Sequence, residues 1–280
     1  HVRKTPRNWK ALELPQIDEF GRDNLRTNNA LRNARLKPLR IGAVAHPVVE
    51  MTDCWDDYMG SRNMSGRMDF IQSEKVIEHC GPISFHRWRP EGGIVGATDR
   101  RWDLFRVLEG IRRDVKGRGR RDDCELAVMK DAHTAAVDAG VVEFCSLTVS
   151  GRPAACAYNY RTGSRLENVF LGARQEYGDA ALNCLLGHMV RDSFMRDDQR
   201  IVFHPYDAQR VGTWSNADFT SIAYGHYAKF SPVAQLLKRR RAAEAEDFPV
   251  QRPPVKVEVA AEEQAAVSAN APSLKVHAGV

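Results

Sequence analysis

Between residues 141 and 173 the chain carries three β-prone runs with almost nothing between them. "VVEFCSLTVS", "RPAACAYNYR" and "RLENVFLGA" are joined by Ser150–Gly151 and by Thr162–Gly163. Both links are short and Gly-containing, as tight antiparallel hairpins require. A Gly-containing loop, "RQEYG", then leads into a helix. That helix sets Leu182, Leu185, Leu186, Met189, Val190 and Phe194 on one face, the stripe of a core helix.

The flanking segments fix the order around this unit. Residues 1–40 mix charge and Leu without firm periodicity, and "LRIGAVAHPVVEM" (39–51) is a broken strand-like run. A helical pattern runs from Asp53, a plausible N-cap, to Cys80. "GPISFHRW" alternates as a strand. Trp102, Phe105, Leu108 and Ile111 recur at a spacing of three, and a second helix over 123–140 ends at Gly140. "QRIVFH" reads as a strand, "YDAQRVGTWSNA" as a short helix or loop, and "DFTSIAYGHYAKF" as a last strand. From residue 82 the order is therefore strand, helix, helix, three antiparallel strands, helix, strand, helix, strand. Such alternation predicts an α/β (α+β) fold, a mixed central sheet with helices on both faces.

Bulk properties narrow the classes. The net charge of +5 tolerates a polyanionic partner without demanding one. No apolar run reaches membrane-spanning length, and the N-terminus lacks the apolar core of a signal peptide. Six cysteines form no CxxC pair and have no His at ligand spacing, which argues against a zinc site. Most sit in apolar segments and are expected to be buried reduced thiols, as in a cytoplasmic protein. The "KRRR" run at 238–241 and the basic loop "KGRGRR" at 116–121 carry no interleaved aromatics, so nucleic acid ranks last among the partners. Residues 250–280 are expected to be disordered.

The element order resembles the GNAT acyltransferase fold. In that fold the third hairpin strand runs into a loop and helix N-terminus that bind the pyrophosphate of acyl-coenzyme A. Gln175-Glu-Tyr-Gly178-Asp-Ala180 fits the family signature Gln/Arg-x-x-Gly-x-Gly/Ala in the same context. The physics agrees. Backbone N–H groups at a helix start, together with the helix dipole, favour an anion. Gly178 permits close approach and Ala180 adds little bulk. A closer similarity is to the CelD-like acetyltransferases linked to cellulose and other exopolysaccharides, distant relatives of the peptidoglycan-bridge aminoacyl transferases. Trp55, Tyr58, Ser61, Arg67, Lys75 and Glu78 occupy comparable places. The resemblance covers about residues 40–232. It implies an edge or remnant of an upstream GNAT-like half at 1–50, an acyltransferase domain at 51–235 and a basic, then disordered, tail at 236–280.

The resemblance implies acetyl-CoA or another acyl-CoA as cosubstrate, no metal, and a saccharide or small amine or hydroxyl as acceptor. Gln175, Tyr177, Gly178, Asp179 and Ala180 would hold the cofactor. Acyl transfer needs a base for the acceptor and an acid for the leaving thiolate. Glu143, in the first hairpin strand, is the candidate base; otherwise it is a solvent-facing strand residue. His204, beside Pro205 at a strand end, is a second candidate acid–base group, the alternative being an ordinary hydrogen-bonded His. Tyr206 stands where many GNAT enzymes carry a general-acid Tyr, or else packs. Arg118, Arg120 and Arg121 would meet an acidic or phosphorylated acceptor, the alternative being a solvated helix connection. Cys184 on the binding helix is a buried packing residue or a dipole-activated thiol. Family members place an acid after the binding helix and then Tyr-Lys-x-x-Trp. Here no acid lies within Val202–His204, Arg210-Val211 replace Tyr-Lys, and Trp214 remains. A GNAT-like scaffold that binds without turnover is the competing function.

Overall fold

The computed structural model describes residues 10–19, 21–52, 54–90, 100–116, 120–196 and 198–247. The segment 250–280 and the proposed N-cap Asp53 lie outside the described residues. The hairpin unit consists of β4 (Val142–Val149), β5 (Arg152–Thr162) and β6 (Arg165–Ala173), all antiparallel. Ser150 and Gly151 have φ of 49° and 76°. Two successive positive φ values make the tight turn whose twist matches that of the flanking strands. The second turn falls on Gly163–Ser164, one residue later than the sequence suggests, with Gly163 at φ 63°.

To one side of the unit β3 (Ile83–Trp88) pairs with β4 and forms a sheet edge. To the other side β7 (Arg200–Val202) runs parallel to β6. Two long strands then continue the sheet: β2 (Leu39–Glu50), antiparallel to β7, and β8 (Ala217–Tyr227), antiparallel to β2. The far edge is β1 (Ala11–Asp18), paired with β8. The eight strands thus run β1-β8-β2-β7-β6-β5-β4-β3. Residues 11–50 join the same sheet, and the 39–51 run is one continuous strand. β1 is missed by the sequence pattern because Pro15 interrupts it, and its register shifts between Leu14 and Ile17.

Alternation sends side chains of β4 and β5 to two separate cores. On one face Cys145, Leu147, Val149, Ala155 and Ala157 pack under α6 (Gly178–Phe194) and α3 (Met64–Cys80). On the other, Val142, Phe144, Cys156 and Tyr158 pack under α4 (Trp102–Lys116) and α5 (Arg120–Asp138). Burying each Val, Leu or Phe side chain among them contributes about 1.5–3 kcal/mol. A mixed sheet covered by helices on both faces is the predicted fold.

The helix expected over 53–80 is two helices. α2 (Trp55–Ser61) is capped by Cys54, whose sulfur accepts from Asp57 N–H. α3 is capped by Asn63, whose Oδ1 accepts from Gly66 N–H at 2.8 Å. α1 (Arg22–Asn33) buries only Leu31, which explains its weak pattern. After β7 the chain makes a 3-10 turn (Pro205–Asp207) and the one-turn α7 (Ala208–Val211). α8 (Pro232–Asp247) closes the described chain on β2 and β8. No helix among the described residues is long and apolar enough to cross a membrane.

The cysteines divide differently from expectation. Cys145, Cys156 and Cys184 are buried, while Cys54, Cys80 and Cys124 are exposed, and none is in a disulfide. The exposed three lie on helix positions that face water, one of them as the cap of α2.

Candidate active site

The parallel pairing of β6 with β7 is short. Arg165, Leu166 and Glu167 face Arg200, Ile201 and Val202, and the pairing stops there. β6 continues through Ala173 with β5 alone beside it, whereas beyond Val202 the chain turns away at His204. The two halves of the sheet therefore part at Glu167/Val202, and a cleft opens between the rest of β6 and β2. Parallel strands that splay leave backbone polar groups without ladder partners, the setting in which a ligand can be held by main chain.

At the mouth of this cleft β6 ends and the loop 174–177 leads into α6. Arg174 anchors the loop: its N–H donates to Ala154 O and its Nε to Pro153 O, both at 2.8 Å, and its Nη1 meets Asp114 Oδ2 at 3.1 Å. Tyr177 N–H and Gly178 N–H both donate to Arg174 O at 3.0 Å. Gly178 opens α6 with φ 55°, in the left-handed region that favours glycine. A Cβ built there would meet nothing within 4 Å, so the site is open to an incoming group. The helix start adds its own orphan N–H groups and positive dipole end. Gln175 and Asp179 are exposed, while Tyr177 and Ala180 lie half-buried against the core. The five residues read from the motif thus stand together on one loop and first turn. Two exposed carboxylates, Glu176 and Asp179, stand beside it and oppose an anion in part.

The candidate catalytic residues do not converge. Glu143 is fully buried on the α6 face of β4, so the solvent-facing alternative is excluded. Both its oxygens accept from Arg87 Nη2, at 2.8 and 2.9 Å, and Oε2 also accepts from Arg89 Nε. Arg87, its side chain 1% exposed, further bonds Asp198 Oδ2 at 2.8 Å, Asp192 Oδ2 at 3.0 Å and Ser193 Oγ at 2.9 Å. This cluster sits beneath the last turn of α6, some 20 Å along the helix from the loop by its rise per residue. Glu143 reaches the apex of the cleft only through two amides. Asn159 Nδ2 donates to Glu143 Oε1 at 3.2 Å, and Asn168 Nδ2 donates to Asn159 Oδ1 at 2.8 Å. Asn168 directly follows the last β6–β7 pair.

His204 and Tyr206 lie on the other wall. His204 caps the 3-10 turn, its Nδ1 accepting from Tyr206 N–H at 3.4 Å, and its ring stacks on Tyr206 at 4.8 Å. The Tyr206 residue is 78% exposed, so it does not pack in the core. β4 and β7 are three strands apart, about 14 Å, which separates Glu143 from this pair. Arg118 lies outside the described residues, as do the side chains of Arg120 and Arg121; Arg120 begins α5.

Other residues of the motif region turn out to be architecture. Trp55 and Tyr58 pack on Phe194, with ring centroids 6.1 and 5.3 Å away. Tyr58 Oη donates to Trp214 O, and burial pushes its phenol up. Trp214 is buried edge-on to Phe70. Cys184 is buried, and burial, aided by Glu74 and Glu78, raises its thiol to about 12. It therefore stays a neutral packing group.

Sequence reasoning missed His46. It is buried on β2, where its Nδ1 meets Phe203 O at 3.1 Å and its Nε2 meets Ser221 Oγ at 2.7 Å. A carbonyl only accepts, so Nδ1 carries the proton and Nε2 accepts from the hydroxyl. Burial lowers the pKa of the ring despite the Phe203 contact, with His204 and Arg165 adding to the effect. The pair ties β2, β8 and the segment after β7 together at the second wall of the cleft. A separate open groove of about 350 Å³ lies at the β3 edge, lined by His86, Trp88, Arg101 and Leu104 among others. It is three strands from the cleft and shares no residue with it. No cluster of three or more His, Cys, Asp or Glu able to hold a metal occurs among the described residues.

The acetyltransferase (GNAT) domain pattern matches residues 65–209, just over half of the 280. No curated protein sequence matches the chain. Among solved structures, that of FemX superposes with a TM-score of 0.54 at 11% identity, over 82% of this chain and 74% of FemX. L-PGS from Bacillus licheniformis gives 0.46 at 10% identity, over 82% and 72% of the two chains. A tandem GNAT protein from the clavulanic acid biosynthesis pathway gives 0.41 at 12%, over 79% and 65%. The extent of the domain match carries the assignment, and the FemX superposition supports the fold: the chain belongs to the acetyltransferase (GNAT) domain family.

Proposed function

We propose that the protein is an acyl-CoA-dependent acyltransferase that moves an acetyl or related acyl group to an amine or hydroxyl acceptor. The observation that carries this is the position of Gly178. It is a left-handed glycine at the first residue of α6, at the mouth of the cleft where β6 leaves β7. In this reading Gln175–Ala180 hold the pyrophosphate, mainly through the helix-start N–H groups of Asp179 and Ala180, since those of Tyr177 and Gly178 are given to Arg174 O, and the acyl arm lies along β6 toward Asn168. Tyr206, exposed beside His204, would in this reading protonate the leaving thiolate. Glu143 acts at a distance, fixing Asn159 and Asn168, and is a positioning residue in our reading. The similarity to CelD-like acetyltransferases favours a saccharide acceptor in polysaccharide biosynthesis.

Titration calorimetry with acetyl-CoA tests the reading. The folded wild-type protein is expected to bind, and no heat at millimolar ligand would sink the proposal. Gly178→Asp adds a strained side chain and a negative charge where the phosphates would sit, and binding should fall below detection. Unchanged affinity in that variant would remove the loop from the site. A second reading, binding without turnover, is favoured by the sealed state of Glu143 and by Arg210-Val211 in place of Tyr-Lys. Acetyl-CoA binding with no thiol release over a panel of amine and saccharide acceptors would select it.

A further inference from the structure

Glu143, Asn159 and Asn168 stand directly opposite one another on β4, β5 and β6, so their side chains form a row on one face of the sheet. Every donor in this row is committed. Asn159 Nδ2 donates to Glu143 Oε1 at 3.2 Å and to Met189 Sδ at 3.7 Å. Asn168 Nδ2 gives one hydrogen to Asn159 Oδ1 at 2.8 Å and the other to Phe170 O at 3.0 Å. A carboxylate only accepts, so Glu143 fixes the sense of the whole row: each amide turns its nitrogen toward β4 and its oxygen the other way.

The row ends at Asn168 Oδ1. Asn168 is 7% exposed, and this oxygen is buried with no hydrogen-bond partner among the described residues. Asn168 lies one residue past the last β6–β7 pair and just before Val169, which bulges out of the pairing with β5. On the β7 side the next residue, Phe203, gives its N–H to Pro47 O on β2. With Nδ2 turned to β5, Oδ1 is turned to the side from which β7 has parted, the apex of the cleft. Buried polar atoms are nearly always paired, and an unpaired one beside a cleft calls for a donor from outside the chain.

We propose that Asn168 Oδ1 selects a hydrogen-bond donor on the bound ligand, an N–H or O–H that reaches the apex, and that Glu143 sets this polarity through Asn159. The inference rests on the acyl-CoA reading above. In that reading two groups of this chemistry come to the apex: an amide N–H of the pantetheine arm, and the amine or hydroxyl of the acyl acceptor. A group that only accepts is refused, because both hydrogens of Asn168 Nδ2 are engaged. The amide oxygen orients the donor and takes no proton from it.

Asn168→Leu keeps the volume and removes the acceptor. Its effect is read by calorimetry with acetyl-CoA and with adenosine 3′,5′-bisphosphate, which has no pantetheine, and by thiol release with D-glucosamine as acceptor. If the pantetheine amide is the donor, acetyl-CoA affinity falls roughly five- to tenfold, the worth of one hydrogen bond, while the bisphosphate is unaffected. If the acyl acceptor is the donor, acetyl-CoA affinity holds and KM for glucosamine rises by that factor. The Leu variant leaves Asn159 Oδ1 without its donor, so two further measurements guard against a folding defect. Asn168→Asp restores the pattern only when protonated, its O–H donating to Asn159 Oδ1, and its loss relative to wild type should shrink from pH 8.5 to pH 6.5. In the wild type the side-chain carbonyl carbon resonance of Asn168 should move downfield on addition of acetyl-CoA or, in the second case, of glucosamine. The proposal is overturned if the wild type binds acetyl-CoA while both variants match it in every assay and the resonance stays in place. A resonance already downfield without ligand, and unmoved by either addition, overturns it in favour of a bound water. No acetyl-CoA binding by the wild type fails the acyl-CoA reading itself, and this inference with it.

Discussion

At residue 143 a carboxylate meets two guanidinium groups where water is excluded. Removing one partner of such a buried set leaves uncompensated charge and costs about 3–5 kcal/mol. Glu143→Gln should therefore lower stability by several kcal/mol in urea unfolding. If Glu143 only positions its neighbours, the variant that remains folded at low temperature keeps acyl transfer within about tenfold. A selective loss of turnover with unchanged stability would instead make it the base. The cluster was not legible in the sequence. Glu143 is visible as an acid in a hairpin strand, but its partners lie 56 residues away at Arg87 and, beyond Arg87, 111 residues on at Asp198. No local period connects such positions. The loop residues Gln175–Ala180 were legible because a turn and a helix start are written within six consecutive residues.

At the scale of elements, α6 and α3 meet at a glycine. A Cβ at Gly187 would stand 2.1 Å from Phe70 Cε2, inside any real contact. Phe70 cannot easily yield, because its ring is held edge-on by Trp55, His188 and Trp214. Gly187→Ala gains about 1 kcal/mol of helix propensity and loses about 1–3 kcal/mol to overpacking. A net fall in the thermal midpoint is expected, and a rise would show that the ring moves freely. Elements were legible where short Gly-containing links bound β-prone runs, as at β4, β5 and β6, or where one face repeats, as in α6. They were not legible where burial is slight, as in α1, or where two caps split one apparent run, as at Arg62–Asn63. The Trp-x-x-Tyr pattern was visible, yet its purpose in the fold, clasping α2 onto the end of α6, depends on Phe194 far along the chain.

For the whole molecule, three histidines set a pH limit. Burial lowers the pKa of His46, His133 and His188, in each case against a hydrogen bond that raises it. His133 Nε2 donates to Arg100 O and its Nδ1 accepts from Tyr158 Oη, at 2.8 Å each, so a second proton on Nδ1 would force that hydroxyl to turn away. Because the folded values lie below the ordinary 6.5, the unfolded chain binds protons that the folded chain does not as pH drops below about 6.5. Stability is then lost with falling pH, at up to about 1.4 kcal/mol per unit for each histidine, and is unaffected by these groups above that range. Urea midpoints at pH 7.5 and 5.5 should differ accordingly, and His46→Asn should flatten the slope; a midpoint that holds at 5.5 would contradict the neutral assignment.

The short seam between β6 and β7 has a geometric consequence. Three residue pairs join a four-strand plate (β3 to β6) to another four-strand plate (β7, β2, β8 and β1). The free stretch of β6 beyond the seam is six residues, a lever of roughly 20 Å, so each degree of rotation about the seam shifts the cleft mouth by about 0.35 Å. Motion at the apex is correspondingly small. A tilt of one plate against the other, resisted by the core that Val49, Phe203 and Trp214 share with Leu147, Leu171 and Leu185, would displace the mouth far more than the neighbourhood of Asn168.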